Sequence, residues 1–229
     1  MIIAATVSGR AVLCAGATPQ TLKSSKQGYY KAVATYPKFS ERTKVARETN
    51  GLILRWIRKE QQRFVKEARK TQESLGMPTA PYHHAIDYVV RHADTMALIS
   101  VQCEVYQYTG GAHGNSAFVV FNVGIVDGKA RRVTLADFFG SDTSYSLWIS
   151  DTLLSRLKQD DRATFIREGT VRTLTKDQLE LFVVQEDGLL FLFNRYDVGP
   201  YSAGTFSVKL TLAELGENFN RSLITRAQR

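Results

Sequence analysis

Within eight residues, Tyr108-Thr109-Gly110-Gly111-Ala112-His113-Gly114-Asn115, the chain places a phenol, an imidazole and a carboxamide around paired glycines. Glycine pairs bend the backbone, so this stretch predicts a turn that lifts His113 and Asn115 to the rim of a sheet. Imidazole and amide there can hydrogen-bond a ligand or a partner backbone; a purely structural turn would use the same residues to bond neighbouring carbonyls. A second loop, 196–204, carries Tyr196, Pro200, Tyr201 and Gly204, offering aromatic faces for a sugar or peptide, or for packing over a sheet end. The candidate ligand-binding set is therefore Tyr108, Gly110, Gly111, His113, Asn115, Tyr196, Tyr201 and Gly204. A Ser116/His113/Asp137 triad can be drawn on paper, but Gly114-Asn115-Ser116-Ala117 is not a nucleophile elbow. His83, His84 and His92 lack metal-ligand spacing, since adjacent histidines on a strand face opposite ways. With no phosphate loop, dinucleotide fingerprint or zinc-type cysteine pair, no catalytic residue, metal or cofactor is assigned.

Two strand-like runs, 98–106 and 117–126, flank the glycine turn. Val119, Phe121, Val123 and Ile125 alternate along the second, which predicts one buried face. Asp127-Gly128 predicts a hairpin returning through 131–135. Upstream, residues 18–27 read as a polar linker, 28–36 as a first strand ended by Pro37, and 50–73 as a long helix. Leu52, Trp56, Phe64 and Ala68 mark one face of that helix, beside Ile53, Ile57 and Val65, and Gly76-Met77-Pro78 closes it. Residues 82–90 and 96–106 predict antiparallel strands joined by a turn at 91–94. Asp142 or Thr143 would cap a second helix with Leu147, Trp148, Leu154 and Leu157 inward. Thr175 and Gln178 fit a capping box before a strand at 181–185. The continuous apolar run 189–193 predicts a central strand covered on both faces, followed by a strand at 205–210 and a closing helix at 212–224.

The net charge of +8 is lopsided. Residues 1–80 hold fifteen Lys and Arg against five Glu, and the remainder fifteen against seventeen acids. The excess gathers in Arg55, Arg58, Lys59, Arg63, Lys66, Arg69 and Lys70, a candidate surface for anionic polymers, or a solvated helix face paired with Glu60 and Glu67. Nucleic acid is the weaker reading, because Trp56 and Phe64 fall with the apolar residues and no DNA- or RNA-binding motif is present. The two cysteines, Cys14 and Cys103, offer no disulfide framework; Cys103 alternates with Val101 and Val105 and belongs in a core. No apolar run reaches the roughly 18 residues a transmembrane helix needs. Residues 1–17 are small and apolar and end in Ala15-Gly16-Ala17, yet lack a basic start, which reads as an atypical or truncated export signal.

The order of motifs is recognisable: a long helix after Asn50, Tyr108 to Gly114, Val133-Thr134-Leu135-Ala136-Asp137-Phe138-Phe139, Asp187-Gly188-Leu189 with Phe191-Leu192-Phe193, and Tyr196 to Gly204. It resembles a bacterial family of extracytoplasmic domains that includes the outer domain of RsiV-type lysozyme-sensing anti-sigma factors and the non-catalytic N-terminal region of PdaC-type peptidoglycan deacetylases. The resemblance implies an α+β fold, an antiparallel β-sheet packed against a long N-terminal helix and one or two further helices. The expected organisation is an export-signal remnant or disordered arm at 1–27, an N-terminal α+β domain at 28–127, and a C-terminal α+β domain at 128–229 packed on it. The expected role is that of an exported, non-enzymatic binding or sensor domain whose partner is a cell-wall polymer or an envelope protein. The alternatives are a hydrolase or deacetylase-like enzyme acting on the wall, and an anionic-polymer or nucleic-acid binder using the basic helix.

Overall fold

A computed structural model describes residues 16–76, 80–94, 97–140, 142 and 144–224. The expectations for the signal at 1–15 with Cys14, for Met77 and Pro78, for Met96 and for a Thr143 cap lie outside the described residues. The rest forms a mixed α+β structure of two sheets, a six-stranded one ordered β1 to β6 and a three-stranded one ordered β7-β8-β9.

The stretch expected as a linker is a strand. β1 (Ala17–Lys26) pairs antiparallel with β2 (Tyr30–Phe39) along its full length. Its polar composition misleads because it is an edge strand, largely exposed on both faces. Pro37 does not end β2 but sits opposite Pro19. Two residues without N–H groups can face each other only where the ladder needs no donor, at a non-hydrogen-bonded pair. The helix α1 (Lys44–Leu75) also begins earlier than expected. Thr43 caps it, its side chain accepting from the Ala46 N–H at 3.2 Å. Asn50 lies inside the helix instead, clamping the end of β2 by bonding the Phe39 N–H and carbonyl at 2.9 and 2.8 Å.

The helix then delivers the chain to β3 (Tyr82–Asp94), whose start runs parallel to β2. A parallel pair requires a crossover, and α1 is that crossover. The expected all-antiparallel sheet is therefore mixed at this one pair. β4 (Leu98–Tyr108), β5 (Asn115–Val126) and β6 (Lys129–Arg132) complete the sheet as antiparallel neighbours. β3 does not turn at residues 91–94 but continues through them, with a bulge between Val90 and His92. The Asp127-Gly128 hairpin forms as expected, both residues at positive φ (51° and 73°). The expected division at 127/128 thus falls inside a hairpin of the first sheet, and Val133 is already part of the second core.

The two faces of the large sheet have different characters. On one, Ile86, Val90, Val101, Cys103, Phe121 and Val123 pack against Ile53 and Ile57 of α1. Burial pushes the Cys103 thiol up to about 12, so it stays a neutral core group. On the opposite face, Ser100, Gln102 and Asn122 are buried polar residues beneath the second sheet. That sheet comprises β7 (Phe182–Gln185), β8 (Gly188–Phe193) and β9 (Phe206–Thr211), with β8 central and buried as its apolar run predicts. β7 is an edge whose outer backbone groups would be stranded in the core. Asn122 Nδ2 donates to the Phe182 carbonyl at 2.8 Å, and the Val184 N–H donates to Ser100 Oγ at 3.0 Å. Ser100 also donates to Asn122 at 2.6 Å, closing the network.

Around the second sheet lie α2 (Tyr145–Leu157) and three single turns, α3 (Thr164–Arg167), α4 (Lys176–Leu179) and α5 (Leu212–Leu215). The Thr175/Gln178 capping box is present. The inner face of α2 is Ile149, Leu153 and Leu157; Leu147, expected inward, is 72% exposed because it lies two residues, over half a turn, from Ile149. The expected closing helix stops after one turn at Gly216, whose φ of 78° leaves the helical region.

Candidate functional site

The two loops singled out by sequence meet at one edge of the large sheet. β6 covers β5 only from Val123 to Val126, so the first half of that edge is open. There the Phe118 N–H donates to Asn194 Oδ1 at 2.7 Å, and the Asn194 N–H donates to Asp197 Oδ2 at 2.6 Å. The loop leaving β8 is thereby fastened to the start of β5, beside the glycine turn.

At that junction the His113 and Tyr201 rings stack, centroids 3.9 Å apart and 21° from parallel. The Tyr201 hydroxyl donates to the Gly114 carbonyl at 2.7 Å, and His113 Nδ1 reaches the same oxygen at 3.0 Å. A carbonyl only accepts, so Nδ1 carries a hydrogen in this contact, and no partner of Nε2 is seen among the described residues. His113 is exposed. The Arg195 guanidinium lies 4.5 Å from the Tyr201 ring centre, and its buried Nε has no protein partner among the described residues. Tyr196, 56% exposed and held at φ 70°, adds a ring 5.8 Å from Tyr201. The result is an aromatic platform with cationic and imidazole edges.

Other predicted residues have supporting positions. Gly110 and Gly111 adopt φ of 99° and 91°, the conformation that the turn demands. The Tyr108 hydroxyl donates back to the Gly111 carbonyl at 3.2 Å, bracing the turn rather than facing a ligand. Gly204 closes the single turn Tyr201–Ala203, and Asn115 is exposed opposite Gln107 on β4. A groove of 410 Å³ runs from His113, Asn115 and Gly110 to Trp56, Glu60 and Arg63 of α1. Of the seven basic helix residues only Arg63 lines it, bonded to Glu60; the other six lie along the exposed outer surface of α1.

Sequence reasoning missed Asn194, Arg195 and Tyr106. Asn194 follows directly on an apolar strand, a position where an Asx side chain organises a turn. Tyr106 packs over Gly114: a Cβ there would lie 2.3 Å from its hydroxyl oxygen. The paper triad is not assembled. Ser116 is buried in β5 opposite Tyr106, and Asp137 receives two bonds from Arg131, at 2.9 and 2.7 Å. Burial works to raise the Asp137 pKa, but the bonds from Arg131 and Thr134 outweigh it and hold the carboxyl below its ordinary range. His83 is exposed and His84 buried, as opposite faces require, and His92 bonds the Ile224 carbonyl at 3.0 Å.

Comparison with known proteins divides the chain in two. Residues 23–116 match the family model described as Deacetylase PdaC, and residues 136–213 match that of a protein of unknown function, DUF3298. A curated relative is the peptidoglycan-N-acetylmuramic acid deacetylase PdaC of Bacillus subtilis (strain 168), 24% identical over 203 residues. That alignment covers 87% of this chain but 41% of the relative, so the chain spans well under half of the enzyme's length. A crystal structure of a DUF3298 family protein from Pseudomonas aeruginosa PAO1 shares the fold, with a TM-score of 0.61 at 16% identity over 87% of this chain and 92% of that one. A DUF3298 family member from Bacteroides fragilis NCTC 9343 aligns at 16% identity over 91% of this chain and 96% of that chain, with a TM-score of 0.49. His113 belongs to the first matched segment and Tyr201 to the second.

Proposed function

From a chain that joins a PdaC-type region to a DUF3298 region, we propose an exported, non-enzymatic binding module of the bacterial cell envelope that holds a cell-wall glycan on the His113–Tyr201 platform. The observation that carries this reading is the stack itself. Tyr201 is contributed by one matched segment and His113 by the other, and the pair is fixed by a shared carbonyl. The exposed His113 and Tyr196 rings, with half-buried Tyr201 between them, suit the apolar face of a pyranose, while the edge of His113, Asn115 and Arg195 suit hydroxyls and N-acetyl oxygens. An extracytoplasmic location is supported by the likeness to a peptidoglycan deacetylase. Binding is favoured over acyl transfer because Ser116 is buried in the sheet and the Asp137 oxygens are occupied by Arg131 and Thr134.

The test uses purified protein and defined peptidoglycan fragments. Calorimetry is expected to show binding that weakens about tenfold in Tyr201→Ala, the equivalent of about 1.4 kcal/mol. No acetate or new reducing ends should appear. Release of acetate that is lost in His113→Ala would contradict this reading in favour of a deacetylase-like enzyme.

A further inference from the structure

A cleft of 720 Å³ opens between the large sheet and the second unit, lined by Arg91, Gln102 and Phe118 on one side and by β8, β9 and the end of α2 on the other. Its cations are not alike. Arg156 is paired with Glu214, Arg162 with Asp160, and Lys209 with Asp187. Asp160 is the sole carboxylate among the lining residues, and Arg162 holds both of its oxygens. The ion pairs among the described residues include none to Arg91. Its recorded partner is a neutral amide, with Nε and Nη2 donating to Gln102 Oε1 at 3.0 and 2.7 Å.

Arg91 is placed there by a specific device. It occupies the bulge of β3, where the register slips between Val90 and His92. Val90 and Ala93 pack with the core under α1, whereas His92 reaches the opposite side to bond Ile224. The bulge thus sends two successive side chains to the same face, Arg91 into the cleft and His92 beside it. Gln102, nine-tenths buried, fixes the guanidinium by its Nε edge. The remaining edge, Nη1 with the second hydrogen of Nη2, is a planar fork of the kind that grips a carboxylate through two parallel bonds. Burial pushes the Arg91 pKa down.

We propose that this cleft is a second binding site, which takes a carboxylate carried on a hexose-sized ring and grips it with the free edge of Arg91. One unbalanced positive charge matches one carboxylate. The half-buried Phe118 and Leu190 supply an apolar wall for the ring, and the cleft volume is within the range of small-molecule sites. The site is independent of the His113–Tyr201 platform, so either can fail alone.

The test follows the Arg91 side-chain N–H resonance by NMR at constant ionic strength, with glucuronate, glucose and inorganic phosphate added separately. Glucuronate is expected to shift it saturably, glucose to leave it unmoved, and phosphate to bind at least several-fold more weakly. Arg91→Lys keeps the charge without the fork and should weaken glucuronate about tenfold, and Arg91→Gln should abolish binding. An equal response to glucose or phosphate, or undiminished affinity in Arg91→Gln, would overturn the proposal. Should Arg91→Gln not fold, the wild-type resonance decides alone: if glucuronate does not move it, the proposal fails.

Discussion

His84 shows what a single side chain contributes when it is buried without a partner. It is 2% exposed, packs against Phe64 with ring centres 5.0 Å apart, and neither ring nitrogen has a hydrogen bond among the described residues. Burial, helped by the nearby Arg63 charge, lowers its pKa to about 4. Between pH 6.5 and 4 the unfolded chain therefore binds a proton that the folded chain refuses. Stability supplied by neutral His84 is intact above pH 6.5, declines as pH falls through that window, and is gone below 4. The loss amounts to about 3 kcal/mol, from about 1.4 kcal/mol per pKa unit. Urea midpoints measured from pH 7 to 4.5 should fall more steeply for the wild type than for His84→Leu; parallel curves would contradict the assignment. Legibility at this scale was uneven. His113, Gly110 and Gly111 were legible because glycine pairs carry a conformational demand that sequence states directly. Arg195 and Tyr106 were not, since the Arg195 cation meets the Tyr201 ring and the Tyr106 ring covers Gly114 only once each loop folds back, which residue spacing does not state.

At the level of elements, two predictions concern how surfaces are completed. The buried edge of β7 depends on Ser100 and Asn122. Asn122→Ala should cost about 2 kcal/mol in urea unfolding by stranding the Phe182 carbonyl. The Ser100→Ala/Asn122→Ala pair should cost less than the sum of the singles, because the two share one network. Additive losses, or a cost below about 0.5 kcal/mol for Asn122→Ala, would show that the edge is satisfied otherwise. On α1, the spacing of Arg55, Lys59, Arg63, Lys66 and Lys70 sets them in one stripe opposite the buried Ile53, Ile57, Phe64 and Ala68. Arg55 and Arg63 have Glu partners; the ion pairs among the described residues include none to Arg58, Lys59, Lys66, Arg69 or Lys70. Binding to an anionic wall polymer should weaken markedly between low and high salt, and Lys59→Ala/Lys66→Ala/Lys70→Ala should remove most of that dependence. Salt-insensitive binding would reject a role for the stripe. The helix and the hairpin at Asp127-Gly128 were readable from periodicity and turn chemistry. β1 was not, because an exposed edge strand lacks alternation, and the β3 bulge was not, because its register is set by β4.

Across the whole molecule, the decisive arrangement is that the β5 edge left open by a short β6 receives the loop that follows β8. Neither half makes the platform alone. The fold class was legible from the order of elements, but the parallel β2–β3 pairing was hidden because α1 was expected to pack on an antiparallel sheet and not to serve as the crossover between two of its strands. That the 108–115 turn and the 196–204 loop share one edge could not be read from chain order, which permits either side; Asn194 and Asp197 decide it. The most direct test of the glycan-binding account is NMR of the His113 and Tyr201 ring resonances during titration with a defined peptidoglycan fragment. Both rings should shift together and saturate with one affinity, and Tyr201→Ala should abolish the His113 response. Rings that stay unmoved while the fragment binds elsewhere, or a fragment that does not bind at all, would contradict the account.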